Sequence, residues 1–101
     1  MCVADDPSEA RRTALRYWPN GAMRGAVLTD LARPADFESL ATLVTEDAVA
    51  RAVVCGADPD EHLDALRRWV AAGYDTVYVH QVGPDQEAML SLYAEKVVPR
   101  L

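Results

Sequence analysis

His80 and Gln81 are adjacent polar residues that end a run of β-branched and aromatic residues beginning at Tyr74. Gly73 and Gly83 bound this run, and its composition predicts a β-strand over 74–81. In α/β folds, side chains that follow a parallel strand lie at the end of the sheet where ligands bind. The two side chains therefore suit a binding site, and they suit equally a polar strand end that bonds to its neighbours.

The segment Gly83-Pro84-Asp85 begins the predicted final helix at the same end of the strand. The N–H groups of a helix N-terminus can hold a phosphate. Pro84 has no N–H, however, and the carboxylate of Asp85 would occupy the place of the anion. The segment therefore favours a capped helix start over a phosphate site.

Histidine and cysteine residues are too few and too far apart for a predicted metal site. His62 and His80 are the only histidines, and Cys2 and Cys55 are the only cysteines. No pair has the close spacing of zinc ligands, and no nucleotide-binding or nucleophile motif occurs. We expect His62 to be solvated in the first turn of a helix, and both cysteines to be free thiols.

The composition of the 101 residues is that of one globular domain, with half of the residues apolar and a net charge of −6. An acidic chain lacks the basic surface that nucleic-acid binding needs. No stretch reaches the ~18 consecutive apolar residues of a membrane span. The first residues do not resemble a signal peptide, so we expect a cytoplasmic protein that binds neither nucleic acid nor membrane.

The clearest predicted helix begins after Asp58, which suits the N-cap, with Pro59 at the first helical position. Gly73 suits the left-handed position that follows the helix. The predicted apolar face contains Leu63, Leu66, Trp69 and Val70.

An earlier segment repeats this pattern, because Cys2–Ala4 is predicted to be the end of a strand and Asp6 to cap a helix that follows it. Two strands separated by helices are expected to be parallel. Two parallel strands leave edges unpaired, which indicates missing chain and predicts self-association or a homodimer. Within the second strand, we expect Val77, Tyr78 and Val79 to be buried.

Several segments, in this order and at this spacing, resemble the seventh and eighth units of luciferase-like barrel oxidoreductases. The resemblance extends over nearly the whole chain. The segments that carry it are Cys2–Asp6, Glu9–Arg12, Trp18–Asn20, Cys55–Gly56, Asp58–His62, Ala72–Asp75, Val77–Gln81, Gly83–Glu87 and Val98–Leu101.

The resemblance implies an α/β fold of the (β/α)8 barrel type, which typically needs ~250 residues or more. This chain would be the helix-rich C-terminal part, with strands seven and eight and their helices. It would form a single partial domain over 1–101 with a helical insertion at about 22–53. The most similar branch is that of sugar-phosphate dehydrogenases that use the deazaflavin coenzyme F420, such as glucose-6-phosphate dehydrogenases. Their reaction is hydride transfer between a small organic substrate and the coenzyme, with FMN as the second candidate cofactor.

In this family the catalytic histidine, the acid–base glutamate and most cofactor contacts come from earlier strands. No catalytic residue is therefore assigned, and the chain is expected to be inactive alone. The sugar-phosphate branch holds the substrate phosphate with basic residues in the last two units. Arg24 and Arg51 lie in the comparable stretch of this chain, but they match no family position residue by residue. Both could equally be ordinary surface arginines. They join His80 and Gln81 as candidates for the substrate or cofactor mouth. The alternative function is a non-enzymatic interaction module, or a half-barrel that complements a partner chain.

Overall fold

The computed structural model describes all 101 residues, and most of them lie in short helices. The six α-helices are α1 (Pro7–Tyr17), α2 (Val27–Asp30), α3 (Pro34–Ala41), α4 (Glu46–Ala50), α5 (Pro59–Ala71) and α6 (Gln86–Leu92). Three further helical turns are a 3-10 turn over Pro19–Ala22, a π turn over Tyr93–Val97 and a 3-10 turn over Val98–Arg100. No helix has the length and apolar content needed to cross a bilayer.

Aspartate side chains begin the three helices that follow extended segments, as the sequence predicts. Asp6, Asp58 and Asp85 are the N-caps of α1, α5 and α6. Their carboxylates accept hydrogen bonds from the main-chain N–H groups of Ser8, Asp60 and Ala88, respectively. Each cap satisfies a main-chain donor that the helix itself leaves free. Gly73 follows α5 with a φ of +95°, which confirms its predicted left-handed conformation.

Three extended segments pair in parallel at the centre of the molecule, with Met1–Val3 in the middle. On one side, Cys2 donates to the Val54 carbonyl at 2.8 Å, and Gly56 donates to the Cys2 carbonyl at 2.9 Å. On the other side, the Met1 nitrogen donates to the His80 carbonyl at 2.9 Å. Val82 completes this side by donating to the Met1 carbonyl at 2.8 Å.

The predicted strands at Cys2–Ala4 and 74–81 are therefore wrong as full strands, because Cys2 forms one bridge only and the later segment has only two hydrogen bonds with Met1. The structure contains a single isolated parallel bridge, between Cys2 and Cys55, and no longer ladder. The second extended segment along the chain, which contains Val54 and Cys55, was not predicted as extended. It is too short to show an alternation of polar and apolar residues, which is the sequence signal of a strand.

Helices pack on both faces of the three extended segments. Successive residues of an extended segment point to opposite faces, so neighbouring residues pack against different helices. Cys2 packs in one core cluster with Ala10 and Ala14 of α1 and Val49 of α4. The neighbouring Val3 packs in a second cluster, whose helical members are Leu63, Leu66, Met89, Leu92, Tyr93 and Val97. The observed architecture is thus a helix-rich chain whose short extended segments lie between α1 and α4 on one side and α5 and α6 on the other.

The burial expected for the 74–81 segment is largely wrong. Tyr78 is 95% exposed and Val77 is 38% exposed, whereas Val79 is half-buried. Pairing with Met1 begins only at His80, so the residues before it have no neighbouring strand. Trp69 and Val70, predicted on the buried face of α5, are also more than half exposed.

Gly83 lies where the chain turns from the third extended segment towards α6, and it packs closely against α1. Its φ is +104°, and a Cβ atom there would lie 2.7 Å from Cγ2 of Thr13. We expect Gly83→Ala to lower the free energy of unfolding by about 2–4 kcal/mol, from backbone strain together with overpacking. Chemical denaturation of the variant measures this loss.

Gly25 offers a matched control, since its φ is +80° but no atom lies within 4 Å of the position of its Cβ. Gly25→Ala should cost only about 1 kcal/mol, the price of the left-handed backbone alone. Adding Thr13→Ser to Gly83→Ala removes Cγ2 and should restore the steric part of the loss. Equal losses at Gly83 and Gly25 would contradict the proposed contact with α1.

Candidate functional site

A depression of about 240 Å³ lies at the carboxyl ends of the extended segments, where α/β proteins bind ligands. Its floor is formed by Val3, Gln81 and Val82, and its rim by the first turns of α1 and α6. The capped helix starts described above place their acidic residues around this rim. This depression is therefore the first candidate for a functional site.

Gln81 forms part of the floor and is only 3% exposed. Its Oε1 accepts a hydrogen bond from the Val3 N–H at 3.0 Å. Its Nε2 donates to the Val3 carbonyl at 3.3 Å and to the Asp85 carbonyl at 3.0 Å. The amide thus joins the central segment to the start of α6, in the manner of a strand end that bonds to its neighbours. One face of Gln81 still borders the depression.

The rim of the depression is acidic. Asp5, Glu9 and Asp85 line it, and no arginine, lysine or histidine does. The Asp85 carboxylate accepts from the Ala88 N–H at 2.9 Å and so occupies the helix start, as the sequence predicts. An acidic rim repels phosphate and suits neutral hydroxyl groups or cations. No group of three or more histidine, cysteine or acidic side chains is arranged to hold a metal ion.

His80 faces a different region from its neighbour Gln81. Its ring packs edge-to-face on Trp18, with ring centroids 5.4 Å apart. Both rings line an apolar groove of about 390 Å³ that also contains Trp69 and Val77. The groove lies at the opposite ends of the extended segments from the depression, so the structure does not bring His80 and Gln81 into one site.

The two arginine candidates are also apart. Arg51 is exposed and lines an adjoining groove of about 420 Å³ together with Arg68 and Trp69. Neither Arg51 nor Arg68 forms an ion pair. Arg24 is exposed in the loop before α2 and lines none of these cavities. Arg51 and Arg68 thus offer two cationic groups to one groove, and Arg24 stands alone.

His62 was predicted to be solvated, and this prediction is wrong because the side chain is fully buried. Its Nε2 lies 3.0 Å from the Gly56 carbonyl, and its Nδ1 lies 3.0 Å from the Tyr93 hydroxyl. A carbonyl only accepts hydrogen bonds, so Nε2 carries the proton and the Tyr93 hydroxyl donates to Nδ1. Burial raises the pKa of Tyr93 from 10.0 to about 12, which keeps that donor protonated.

Little in the sequence indicates this network, because the first turn of a helix usually faces water. The one local signal is that His62 directly precedes the apolar Leu63, which belongs to the buried face of α5. The network joins the second extended segment, the start of α5 and the π turn after α6. Its role is structural, since all of its polar atoms are already paired.

Cys2 and Cys55 are free and buried on the two sides of the single parallel bridge. Burial raises the pKa of both thiols, that of Cys55 to about 11. The thiolate is the reactive form of cysteine, so burial disfavours reaction at both side chains. They belong to the core and not to a site.

No protein-family model matches the sequence. Among curated proteins, the chain is 32% identical over 102 residues to the F420-dependent glucose-6-phosphate dehydrogenase of Beutenbergia cavernae. The aligned region covers 100% of this chain and 30% of that protein. It is 32% identical over 98 residues to the protein of the same name from Nakamurella multipartita, covering 96% of this chain and 29% of that protein. It is 30% identical over 86 residues to the protein of the same name from Microbacterium testaceum, and the aligned region covers 85% of this chain and 26% of that protein.

These similarities confirm the resemblance to F420-dependent oxidoreductases of the glucose-6-phosphate dehydrogenase branch. The chain spans about 30% of the length of these curated relatives. The relatives' names give F420 as the coenzyme and offer no support for FMN.

Proposed function

We propose that this chain serves as the C-terminal part of a luciferase-like oxidoreductase that transfers hydride between a sugar phosphate or related alcohol and coenzyme F420. The observation that carries this proposal is the 32% identity to an F420-dependent glucose-6-phosphate dehydrogenase over the whole chain. The parallel pairing of short extended segments, each followed by helix, supports an origin in a parallel barrel. In this proposal, residues 1–101 are one partial barrel domain, with α2, α3 and α4 in its helical insertion.

The acidic depression does not fit the coenzyme by itself. A deazaflavin is a tricyclic ring with an anionic phosphate-bearing chain, whereas the depression holds about 240 Å³ and has an acidic rim. Sites for ligands of that size normally enclose ~300–1,000 Å³. In this proposal the coenzyme contacts and the groups that move protons come from other residues of the complete enzyme, and no residue of this chain is assigned a catalytic role.

The part that this chain can supply is substrate recognition by cationic groups. Arg51 and Arg68 line one groove without ion pairs, and a phosphate there would meet two guanidinium groups. Arginine binds phosphate through paired N–H donors in a fixed geometry. We assign Arg51 to the substrate phosphate, with Arg24 as a second, more distant cation. Gln81, at the carboxyl ends of the extended segments, and His80, in the groove at their opposite ends, are proposed to contact different parts of the complete enzyme.

A chimeric enzyme tests this function. The aligned segment of the Beutenbergia cavernae dehydrogenase is replaced by this chain, and F420 reduction with glucose 6-phosphate is followed. We expect activity, and we expect Arg51→Ala in the chimera to raise the KM for glucose 6-phosphate about tenfold or more, since a hydrogen bond to a charged group contributes ~1.5–3 kcal/mol. The affinity for F420 should stay unchanged.

Arg33→Ala is the matched control, because Arg33 is an exposed arginine on the insertion that already pairs with Asp36 at 2.8 Å. It should leave the KM unchanged. The isolated chain, titrated with F420 and followed by fluorescence, should show neither binding nor turnover. A folded chimera that binds F420 without reducing it would contradict the proposal. Micromolar F420 binding by the isolated chain would also contradict it, as would turnover by the isolated chain that His80→Ala abolishes.

The alternative, an interaction module that complements a partner chain, is favoured by one observation. Large apolar side chains that a complete domain would bury are exposed here, among them Trp69 at 52% and Tyr78 at 95%. An inactive chimera together with tight binding of this chain to a separate half-barrel would favour this alternative.

A further inference from the structure

One side of the central segment Met1–Val3 is paired as a closed barrel requires. In a (β/α)8 barrel successive strands are neighbours, so strand eight lies beside strand seven. Met1–Val3 corresponds to strand seven, and the extended segment that ends at Val82 corresponds to strand eight. The Met1 nitrogen donates to the His80 carbonyl at 2.9 Å, and the Val82 N–H donates to the Met1 carbonyl at 2.8 Å. This pairing therefore needs no change in the complete barrel.

The other side of Met1–Val3 is occupied by a segment that does not follow the strand order of a barrel. The Cys2 N–H donates to the Val54 carbonyl at 2.8 Å, and the Gly56 N–H donates to the Cys2 carbonyl at 2.9 Å. In the sequence, Val54–Gly56 lies between strands seven and eight. A barrel strand at that place in the sequence would also lie between them in the sheet, whereas this segment lies outside both. It therefore holds the position that strand six takes in a closed barrel.

We propose that Val54–Gly56 closes the edge of strand seven in the isolated chain, and that strand six displaces it in the complete barrel. This inference rests on the proposed function, which places the chain in a closed barrel. The two pairings exclude each other, because the single N–H of Cys2 already donates to Val54. The side chain of Cys55 also packs in the same core cluster as that of Cys2, where a side chain of strand six would lie.

The attachments of Val54–Gly56 suit such an exchange. Two main-chain hydrogen bonds join it to Met1–Val3, whereas a strand of the usual ~5–6 residues forms a longer ladder. The Gly56 carbonyl bonds to Nε2 of His62 at 3.0 Å, so the segment stays joined to α5 when its bonds to Cys2 are broken. An uncovered strand edge is prone to pair with other chains. In the isolated chain the segment therefore protects this edge of strand seven.

The test compares the melting temperature of Cys55→Asp in the isolated chain with that in the chimeric Beutenbergia cavernae enzyme. In the isolated chain Cys55 is 9% exposed within an apolar cluster, so a carboxylate there should lower the melting temperature by about 10 °C or more. In the chimera the segment is released, and the substitution should change the melting temperature by less than about 2 °C. Cys2→Asp is the matched control, because Cys2 lies in a paired strand in both proteins and the substitution should destabilise both.

Cross-linking of the unaltered cysteines is a second measurement that does not depend on a variant's ability to fold. Diamide, an azo oxidant, takes one hydrogen from each of two thiols, so that a disulfide forms and the reagent is reduced to a hydrazine. Cys2 and Cys55 lie opposite each other in the single bridge. With diamide present during refolding from urea, we expect the isolated chain to form the Cys2–Cys55 disulfide. The chimera should form at least about tenfold less of it, as peptide mapping by mass spectrometry measures.

Both measurements are separate from F420 reduction, so a folded but inactive chimera contradicts the proposed function and leaves this inference to be decided by melting and cross-linking. A loss from Cys55→Asp that is as large in the chimera as in the isolated chain overturns the inference. Equal cross-linking in the two proteins also overturns it. A chimera that does not fold counts against it as well, because strand six would then fail to displace the segment.

Discussion

Replacing His62 by alanine is expected to lower the free energy of unfolding by about 3–5 kcal/mol, the cost of a buried cavity together with broken buried hydrogen bonds. The side chain is fully buried, and both ring nitrogens are bonded, to Tyr93 and to the Gly56 carbonyl. Alanine would leave a buried hydroxyl and a buried carbonyl without partners. Since small domains are stable by only ~5–15 kcal/mol, the variant should melt well over 10 °C lower.

Thermal melting and urea denaturation measure this loss, with Glu61→Ala as the control. Glu61 precedes His62 on the same helical turn but is exposed, so its replacement should change stability by less than about 0.5 kcal/mol. A double-mutant cycle with Tyr93→Phe should give a coupling energy of about 1–2 kcal/mol. A loss below about 1 kcal/mol for His62→Ala would mean that the network does not hold the three elements together.

Stability is expected to fall steeply as pH rises from about 9 to 12, because Cys55 and Tyr93 are buried in their neutral forms. Burial raises the pKa of Cys55 from 9.0 to about 11 and that of Tyr93 from 10.0 to about 12. Below pH 9 both groups are protonated in the folded and unfolded chains, so their contribution is complete. Between the unfolded and folded pKa values, only the unfolded chain releases protons, and each group then costs about 1.4 kcal/mol per pH unit.

Urea denaturation between pH 7.5 and 11.5 measures this decline. Cys2 is a further buried thiol whose pKa burial raises, whereas Lys96 is the only lysine and the remaining tyrosines are exposed. Cys55→Ala should flatten the decline from pH 9, and Tyr93→Phe should flatten it from pH 10, even though each variant is less stable at pH 7.5. A slope that neither substitution changes would show that these two groups do not control the alkaline transition.

The helix starts were predictable from the sequence because each depends on a few neighbouring residues. Asp6, Asp58 and Asp85 act as caps where an aspartate precedes a proline or a helix-forming run. The position of Gly73 was predictable for the same reason, since a left-handed residue after a helix favours glycine. Local chemistry decides such features, and distant residues do not alter them.

The strand predictions failed where the outcome depends on distant partners. The composition of 74–81 is that of a strand, but a strand needs a neighbour, and only His80–Val82 finds one in Met1. Val77 and Tyr78 are therefore exposed despite their type. The prediction for His62 was wrong in the opposite direction, because the side chain is buried and was expected to be solvated. Its partners lie 6 and 31 residues away, and a single sequence does not indicate them.

The candidate site was predictable only in part. The acidic helix start at Asp85 followed directly from the residues, whereas the separation of His80 and Gln81 did not. Adjacent residues of an extended segment point to opposite sides, and which side carries a ligand depends on the packing around both. Arg51 and Arg68 share a groove because α5 lies beside the second extended segment, which sequence spacing alone does not disclose.

The central position of Met1–Val3 affects the order in which the molecule can fold. Its pairing with Val54–Gly56 closes a loop of more than fifty residues. Its hydrogen bonds with His80 and Gln81 join residues that are 79 and 78 positions apart, respectively. Contacts between distant residues slow folding because the chain must lose entropy before they form. On the ribosome, the helices α1, α4 and α5 can form early, but the layer between them cannot be completed until residue 82 has emerged.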